Sequence, residues 1–243
     1  MRMLVTRPEP DSHSTIDRLR ALGIESVSAP LMSRVTLEFN LPPLIGFAAI
    51  AVTSANALRA LSEKHALDPI LHLPVYAVGD RTAHEARQMG FAEVTSTGGN
   101  LDSLATTLAL ARIEGPVLYP AGKHLSGDLA RALAPHGVMV VTVTTYEMVA
   151  EPALPGPILD DLQNDRIGAV LLYSRRSAEI FAGLTAPSLP ETKRRALAVL
   201  CLAENVAQPL IEWHFTRVHL ADRPDEEAMM ALALAFAREQ SGP

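Results

Sequence analysis

The chain has 243 residues, 48% of them hydrophobic and 20% charged, with 21 Lys and Arg against 27 Asp and Glu for a formal net charge of −6. Such a composition belongs to a folded globular chain, long enough for one large domain or two compact ones, and excludes disorder. A single cysteine, Cys201, excludes a disulfide framework and a cysteine-built zinc cluster; 5% aromatic residues and an acidic balance give no basic stripe or stacking platform for nucleic acid.

In chain order, Leu4-Val5-Thr6 reads as a short buried strand, broken at once by Arg7 and Pro8 and too brief for a secretory core, so a cytoplasmic location is expected. Asp11 or Ser12 caps a helix with Ile16, Leu19 and Leu22 on one face and Gly23 as its left-handed stop. Ser26 to Leu37 is β-rich, mixed in polarity and followed by Pro42-Pro43, the pattern of a crossing between lobes rather than a core strand. Strands follow at Ile50 to Ser54, Val75 to Gly79 and Val117-Leu118-Tyr119, with a helix carrying Leu108 before the last of these. Leu125, Leu129 and Leu133 repeat the helical spacing before Gly137, and Met139 to Val149 is a second crossing stretch beside Pro152, Pro155 and Pro157. Val170 to Ser174 and Val199 to Leu202 read as further strands. Asp222 and Pro224, then Asp225, Glu226 and Glu227, open a last helix bearing Met229, Leu232 and Phe236. Runs apolar on both faces indicate buried parallel strands, and their alternation with helices specifies an α/β architecture. Ala48 to Val52 and Ala196 to Ala203 fall far short of the roughly 20 residues of a membrane helix.

The second half echoes the first. Ser54 and Ser174 stand 120 residues apart in similar strand ends, Gly79 and Leu202 stand 123 apart, Leu108 and Leu232 stand 124 apart, and Gly23 and Gly137 stand 114 apart. Offsets near half the chain point to two similar lobes, although strand–helix coincidences arise in any α/β chain.

No Walker loop, dinucleotide fingerprint, nucleophile elbow or zinc-binding histidine pair occurs, and His13, His65, His72, His84, His124 and His136 lie scattered, so neither metal nor cofactor is expected. What the chain offers is strand ends opening into helix starts: Thr53-Ser54-Ala55-Asn56, Gly79-Asp80-Arg81-Thr82, Ala121-Gly122-Lys123 and Ser174-Arg175-Arg176-Ser177. In open α/β sheets ligands bind beyond the carboxyl ends of strands, where helix N-termini receive carboxylates or phosphates. Each serine or threonine there also reads as an ordinary cap. Arg7, Arg81, Lys123, Arg175 and Arg176 lie close to these ends in the sequence, which favours an anion site there.

The ordered set Val5-Thr6-Arg7-Pro8, Val52-Thr53-Ser54-Ala55-Asn56-Ala57, Ala77 to Ala83 running to Gly90-Phe91, Tyr146-Glu147 and Tyr173 to Ala178 resembles the uroporphyrinogen-III synthase family over nearly the whole chain. The resemblance implies two doubly wound, flavodoxin-like parallel-sheet lobes joined by a two-stranded β ladder. One lobe would comprise residues 1–36 and 149–243, the other 37–148, with the active site in the cleft between them. It implies a cyclising hydro-lyase of tetrapyrrole biosynthesis that closes hydroxymethylbilane, a linear tetrapyrrole with eight carboxylates, to uroporphyrinogen III through an azafulvene and a spiro intermediate that inverts ring D. No cofactor or metal is implied; the partners are the bilane and, transiently, the enzyme that forms it, and the chain is expected to be a monomer. Tyr146 matches the family's cleft tyrosine, a proton donor to the departing hydroxyl or an aromatic packed at the lobe junction. Arg7, Ser54, Asn56, Gly79, Thr82 and Ser174 carry over as substrate contacts. Arg175 and Arg176 are either carboxylate partners or parts of a solvated turn. The second half departs from the pattern at Leu202-Ala203-Glu204-Asn205, where Leu202 stands in place of the glycine matching Gly79, although Asn205 can still hydrogen-bond. A two-lobed binding protein for an anionic small molecule is the alternative from another class.

Overall fold

A computed structural model describes residues 2–125 and 127–241; residues 1, 126, 242 and 243, including the outer ends of the first expected lobe, lie outside the described residues. In chain order the elements are β1 (Arg2–Val5), α1 (Asp11–Ala21), β2 (Ser26–Ser28), β3 (Met32–Thr36), β4 (Ala49–Val52), α2 (Ala55–Glu63), β5 (Val75–Ala77), α3 (Asp80–Gln88), β6 (Val94–Ser96) and α4 (Leu101–Leu110). They continue with β7 (Val117–Gly122), α5 (Leu129–Leu133), β8 (Val140–Ala150), α6 (Gly156–Gln163), β9 (Ile167–Leu172), α7 (Arg175–Thr185), α8 (Glu191–Ala196), β10 (Ala198–Cys201), α9 (Glu204–Glu212), β11 (Arg217–Leu220) and α10 (Glu226–Ser241).

The chain divides into two compact units, Met1–Ser33 with Val149–Pro243, and Arg34–Met148. It passes from one to the other inside β3 and β8. These two strands are neighbours in a ladder whose direction is antiparallel: the Leu37 N–H donates to the Thr145 carbonyl and the Glu151 N–H to the Leu31 carbonyl, each at 2.9 Å.

Unit 1 is a five-stranded sheet in the order β11-β10-β9-β1-β2, with all four neighbouring pairs parallel. The pleat sends alternate side chains to opposite faces. Leu4, Val170 and Val199 meet Phe181, Leu210 and Phe215 on one face, while Met3, Ala169, Leu171 and Leu200 meet Leu19, Met229 and Phe236 on the other. Helices thus cover both faces, which is why these strands are apolar throughout rather than alternating. Unit 2 is a six-stranded sheet, β3-β8-β7-β4-β5-β6, built the same way. Ile50, Val52 and Leu118 face Leu58, Leu61 and Ala86; Ala49, Ala51, Val117 and Tyr119 face Leu104, Leu108, Leu129 and Leu133.

Strand register makes the internal repeat concrete. Val117 pairs with Val140 as Met3 pairs with Ser26, both 114 residues earlier. Ala49 pairs with Val117 as Ala169 pairs with Met3, and Ile50 with Val75 as Val170 with Val199. Val75 pairs with Val94 as Val199 with Val218. Thus β7 and β8 match β1 and β2 at 114, β4 matches β9 at 120, and β5 and β6 match β10 and β11 at 124.

Several local expectations change. Gly79 is the N-cap of α3 and its counterpart is Ala203, the N-cap of α9, rather than Leu202; both are extended, with φ −159° and −160°. Asn100 and Asp225 each accept from the backbone N–H three residues on, so the helices they cap differ by 125, and the Leu108–Leu232 match is one residue out. The helix at α1 starts at Asp11 behind Pro10 with no side-chain cap, because Ser12 turns inward to Ser28 at 2.5 Å. Leu125 precedes α5 and is exposed, Asp128 being the residue that caps that helix. Gly23 and Gly137 have the left-handed φ expected of stops, +75° and +71°.

Candidate active site

Each sheet reverses its strand order once, between β4 and β7 in unit 2 and between β9 and β1 in unit 1. The carboxyl ends flanking such a reversal form a crevice that α/β folds use for ligands.

In unit 2, β4 runs into Thr53 and then Ser54, whose Oγ accepts the Asn56 N–H at 3.2 Å and caps α2. Asn56 turns its amide nitrogen to Met148 Sδ at 3.7 Å and its oxygen to Arg59 at 3.2 Å. On the neighbouring strand end, Gly79 opens α3, which carries exposed Arg81 and buried Thr82 in its first turn. Gly122 and Tyr146 pair across β7 and β8 beyond a bulge. A Cβ on Gly122 would lie 2.8 Å from Tyr146 Cζ and 3.0 Å from its hydroxyl, so the missing side chain is what admits the ring. Tyr146 is 9% exposed and packs with Ile50, Val52 and Leu118, and its carbonyl accepts the Lys123 N–H at 2.8 Å. Lys123 Nζ reaches Glu147 at 3.0 Å; that hydrogen bond, with His124 at 3.4 Å, holds the Glu147 carboxyl below the usual carboxylate range.

Sequence reasoning missed the rest of this end of unit 2. A cavity of about 900 Å3 opens beside Thr53, Val78, Asn100, Leu101, Asp102 and Arg131. Behind it Tyr119 is 3% exposed, with its hydroxyl 3.0 Å from Thr53 Oγ1 and its pKa pushed up by burial. The capping box of Asn100 with Ser103 was legible as a helix start; the Tyr119–Thr53 contact joins residues 66 apart and leaves no local pattern.

Unit 1 places Arg7 after β1 and Tyr173 after β9. The Arg7 guanidinium donates to Glu226, to Asp11 at 3.0 Å and to Thr15 at 3.2 Å, and lies over the Tyr173 ring at 4.3 Å. Tyr173 donates to Glu226 at 3.2 Å, and burial, with the Glu226 charge second, pushes its own pKa far up. Ser174 caps α7 by accepting the Ser177 N–H at 3.1 Å. Arg175 is exposed and bonded to Glu179 at 2.9 Å and Gln208 at 3.1 Å, Arg176 follows it, and Asn205 lies exposed in the first turn of α9. The five basic residues therefore divide, with Arg7, Arg175 and Arg176 on unit 1 and Arg81 and Lys123 on unit 2. Arg7, Arg175 and Lys123 already have carboxylate partners.

The family model of uroporphyrinogen-III synthase HemD matches residues 13–231. The chain belongs to the uroporphyrinogen-III synthase family. A crystal structure of uroporphyrinogen-III synthetase from Helicobacter pylori is 20% identical, covering 97% of this chain and 100% of that one at a TM-score of 0.68. A mutant uroporphyrinogen III synthase from the extremely thermophilic bacterium Thermus thermophilus is 17% identical, with both chains fully covered at a TM-score of 0.55. Both are similar in fold. As a uroporphyrinogen-III synthase family member the chain is a cyclising hydro-lyase of tetrapyrrole biosynthesis, closing hydroxymethylbilane to uroporphyrinogen III.

Cys201 lies inside β10, where burial pushes its thiol up to about 12, so it supplies no thiolate nucleophile near neutral pH. Among the described residues no group of three or more His, Cys, Asp or Glu side chains could hold a metal ion, and no helix is long and apolar enough to cross a membrane.

Proposed function

We propose that this uroporphyrinogen-III synthase works chiefly by holding the bilane in one conformation, with Tyr146 as the proton donor. The free substrate closes unaided to the uninverted isomer, so orientation decides the product before acid–base chemistry decides the rate. The reading rests on the family match over 13–231; the placing of Tyr146 beside Gly122 at the end of β7 supports the role given to that residue.

As the ring A carbon–oxygen bond breaks, the electron pair leaves with the oxygen, which takes the Tyr146 phenol proton and departs as water. The substituted carbon of ring D attacks the resulting cationic azafulvene. The spiro intermediate fragments and recloses in the opposite sense, and the proton released when the last pyrrole is restored returns to the phenolate. Packing against Gly122 and the Lys123 N–H bond to its carbonyl fix where the Tyr146 ring stands.

Propionate and acetate groups are assigned to the strand ends of both units: Ser54, Asn56, Gly79, Arg81, Thr82, Gly122 and Lys123 on one, and Arg7, Ser174, Arg175, Arg176 and Asn205 on the other. Arg81 and Arg176 stand in first helical turns, where backbone N–H groups add to their charge. Such local concentration offsets the long-range repulsion between a chain of net charge −6 and a polyanion. The chain acts as a monomer that receives the bilane from the enzyme forming it. The alternative of a binding protein without chemistry gains nothing from the family match.

Incubation with freshly generated hydroxymethylbilane, then oxidation and chromatography of the isomers, tests the activity. Type III product above the spontaneous type I background is expected; tight binding with only type I product would favour the binder. Tyr146→Phe is expected to lower turnover by about 10²-fold or more with the fold intact, and full turnover in that variant removes the proton-donor role while leaving the activity standing.

A further inference from the structure

One buried hydroxyl in unit 2 has no counterpart in unit 1. Register equates Tyr119 of β7 with Val5 of β1, since Tyr119 follows Leu118, opposite Ile50, as Val5 follows Leu4, opposite Val170. Val5 is fully buried, so the shared scaffold accepts a purely apolar side chain at this place. A buried hydroxyl that finds a single partner gains little over such a side chain, because its hydrogen bond only replaces one to water. The fold therefore gives no reason for the Tyr119 oxygen, and the reason must lie with what that oxygen touches.

It touches Thr53, at 3.0 Å. Either hydroxyl can donate across this distance; the phenol is the stronger acid, which favours Tyr119 as donor and Thr53 Oγ1 as acceptor. Burial raises the Tyr119 pKa and keeps the phenol protonated in that role. Thr53's own hydrogen is then available to another acceptor, and Thr53 lines the cavity with Val78, Asn100, Asp102 and Arg131. Asp128, also on the wall, accepts the Arg131 N–H at 2.9 Å; the donors on that wall are the Arg131 guanidinium, the Asn100 amide nitrogen and the Thr53 hydroxyl, beside the Asp102 and Asp128 carboxylates.

We infer that Tyr119 is a positioning residue for the cyclisation, fixing the Thr53 hydroxyl so that it donates into the unit 2 cavity to a carboxylate of the bilane. The inference rests on the synthase reading above and adds to it a specific holding contact. Holding one substrate carboxylate equally well before and during reaction affects KM and spares kcat.

The test is steady-state kinetics on hydroxymethylbilane for wild type, Tyr119→Phe, Thr53→Val and the double variant, corrected for spontaneous closure, with a thermal midpoint for each. Thr53→Val is expected to raise KM about tenfold and Tyr119→Phe severalfold, each with kcat within about twofold, and the double variant to match Thr53→Val, because Tyr119 acts only through the hydroxyl that Thr53→Val removes. Tyr119→Phe should keep the wild-type thermal midpoint, as the apolar Val5 implies. Wild-type KM in Tyr119→Phe, losses that multiply in the double variant, or a Tyr119→Phe protein that no longer folds would each overturn the inference. A wild-type protein making no type III excess would instead overturn the synthase reading.

Discussion

Units 1 and 2 share strand order and register but differ where the strands end. Arg7, Tyr173 and Glu226 fill that end of unit 1 with a guanidinium, a ring and a carboxylate bonded to one another. By the same offsets their places in unit 2 belong to Ala121, Thr53 and Leu101, and there a cavity of about 900 Å3 opens instead, with Thr53 and Leu101 in its wall. A repeated backbone is constrained by pairing and by the two apolar layers over each sheet, whereas side chains beyond the strand ends are free to change size and charge. At this place unit 1 packs its own bonded side chains, and unit 2 leaves a cavity.

Arg7→Ala attacks that contrast most directly, since it gives unit 1 the residue that unit 2 has. It leaves Asp11 and Glu226 half-buried without their guanidinium and empties the space over the Tyr173 ring. Loss of one member of such a cluster is expected to cost about 2–4 kcal/mol, read as a lower urea midpoint at unchanged slope. Adding Glu226→Leu, which copies Leu101, should recover part of the loss by removing an orphaned charge. An unmoved midpoint for Arg7→Ala would mean that the charged cluster does not hold this end of unit 1 together.

Gly122→Ala makes the complementary attack on unit 2. The new methyl would sit 2.8 Å from Tyr146 Cζ, so the ring must move within a packed layer. Overpacking of this kind is expected to lower stability by about 1–3 kcal/mol, and a displaced Tyr146 to lower turnover about tenfold or more. Lost stability with full turnover would separate the fit of the ring from its proposed chemistry.

Much of this architecture was legible in the sequence, and what was not has physical causes. Apolar runs such as Val170 to Leu172 announce strands buried on both faces, and Ser54 and Ser174 announce the helices that follow, because capping is a local event. Repeat offsets read from letters alone slipped by one at Leu202 and Leu232, where hydrophobic residues in neighbouring positions look interchangeable and only hydrogen-bonded register distinguishes them. Arg7 was legible as a cation at a strand end. Its carboxylate partner Glu226 was not, since 219 residues separate them and the last helix must first pack on the sheet. The contact between Tyr119 and Thr53 escaped for the same reason: β7 and β4 are neighbours only in the folded sheet.

The corrected register also separates two explanations for Gly79. As the N-cap of α3 it is extended, at φ −159°, and Ala203 holds the same post in unit 1 at φ −160°, so the backbone here asks for no glycine. The space does not ask for one either: a Cβ would meet Gly99 Cα at 3.7 Å, an ordinary contact. Gly79→Ala should therefore stabilise the protein by about 0.5 kcal/mol, because the alanine has fewer unfolded conformations to lose. If the bilane packs against this turn, the same methyl raises KM, and the variant becomes more stable and a weaker binder at once. A gain in midpoint with wild-type KM would take Gly79 off the list of substrate contacts, and a fall in midpoint would show that the turns of the two units are not equivalent after all.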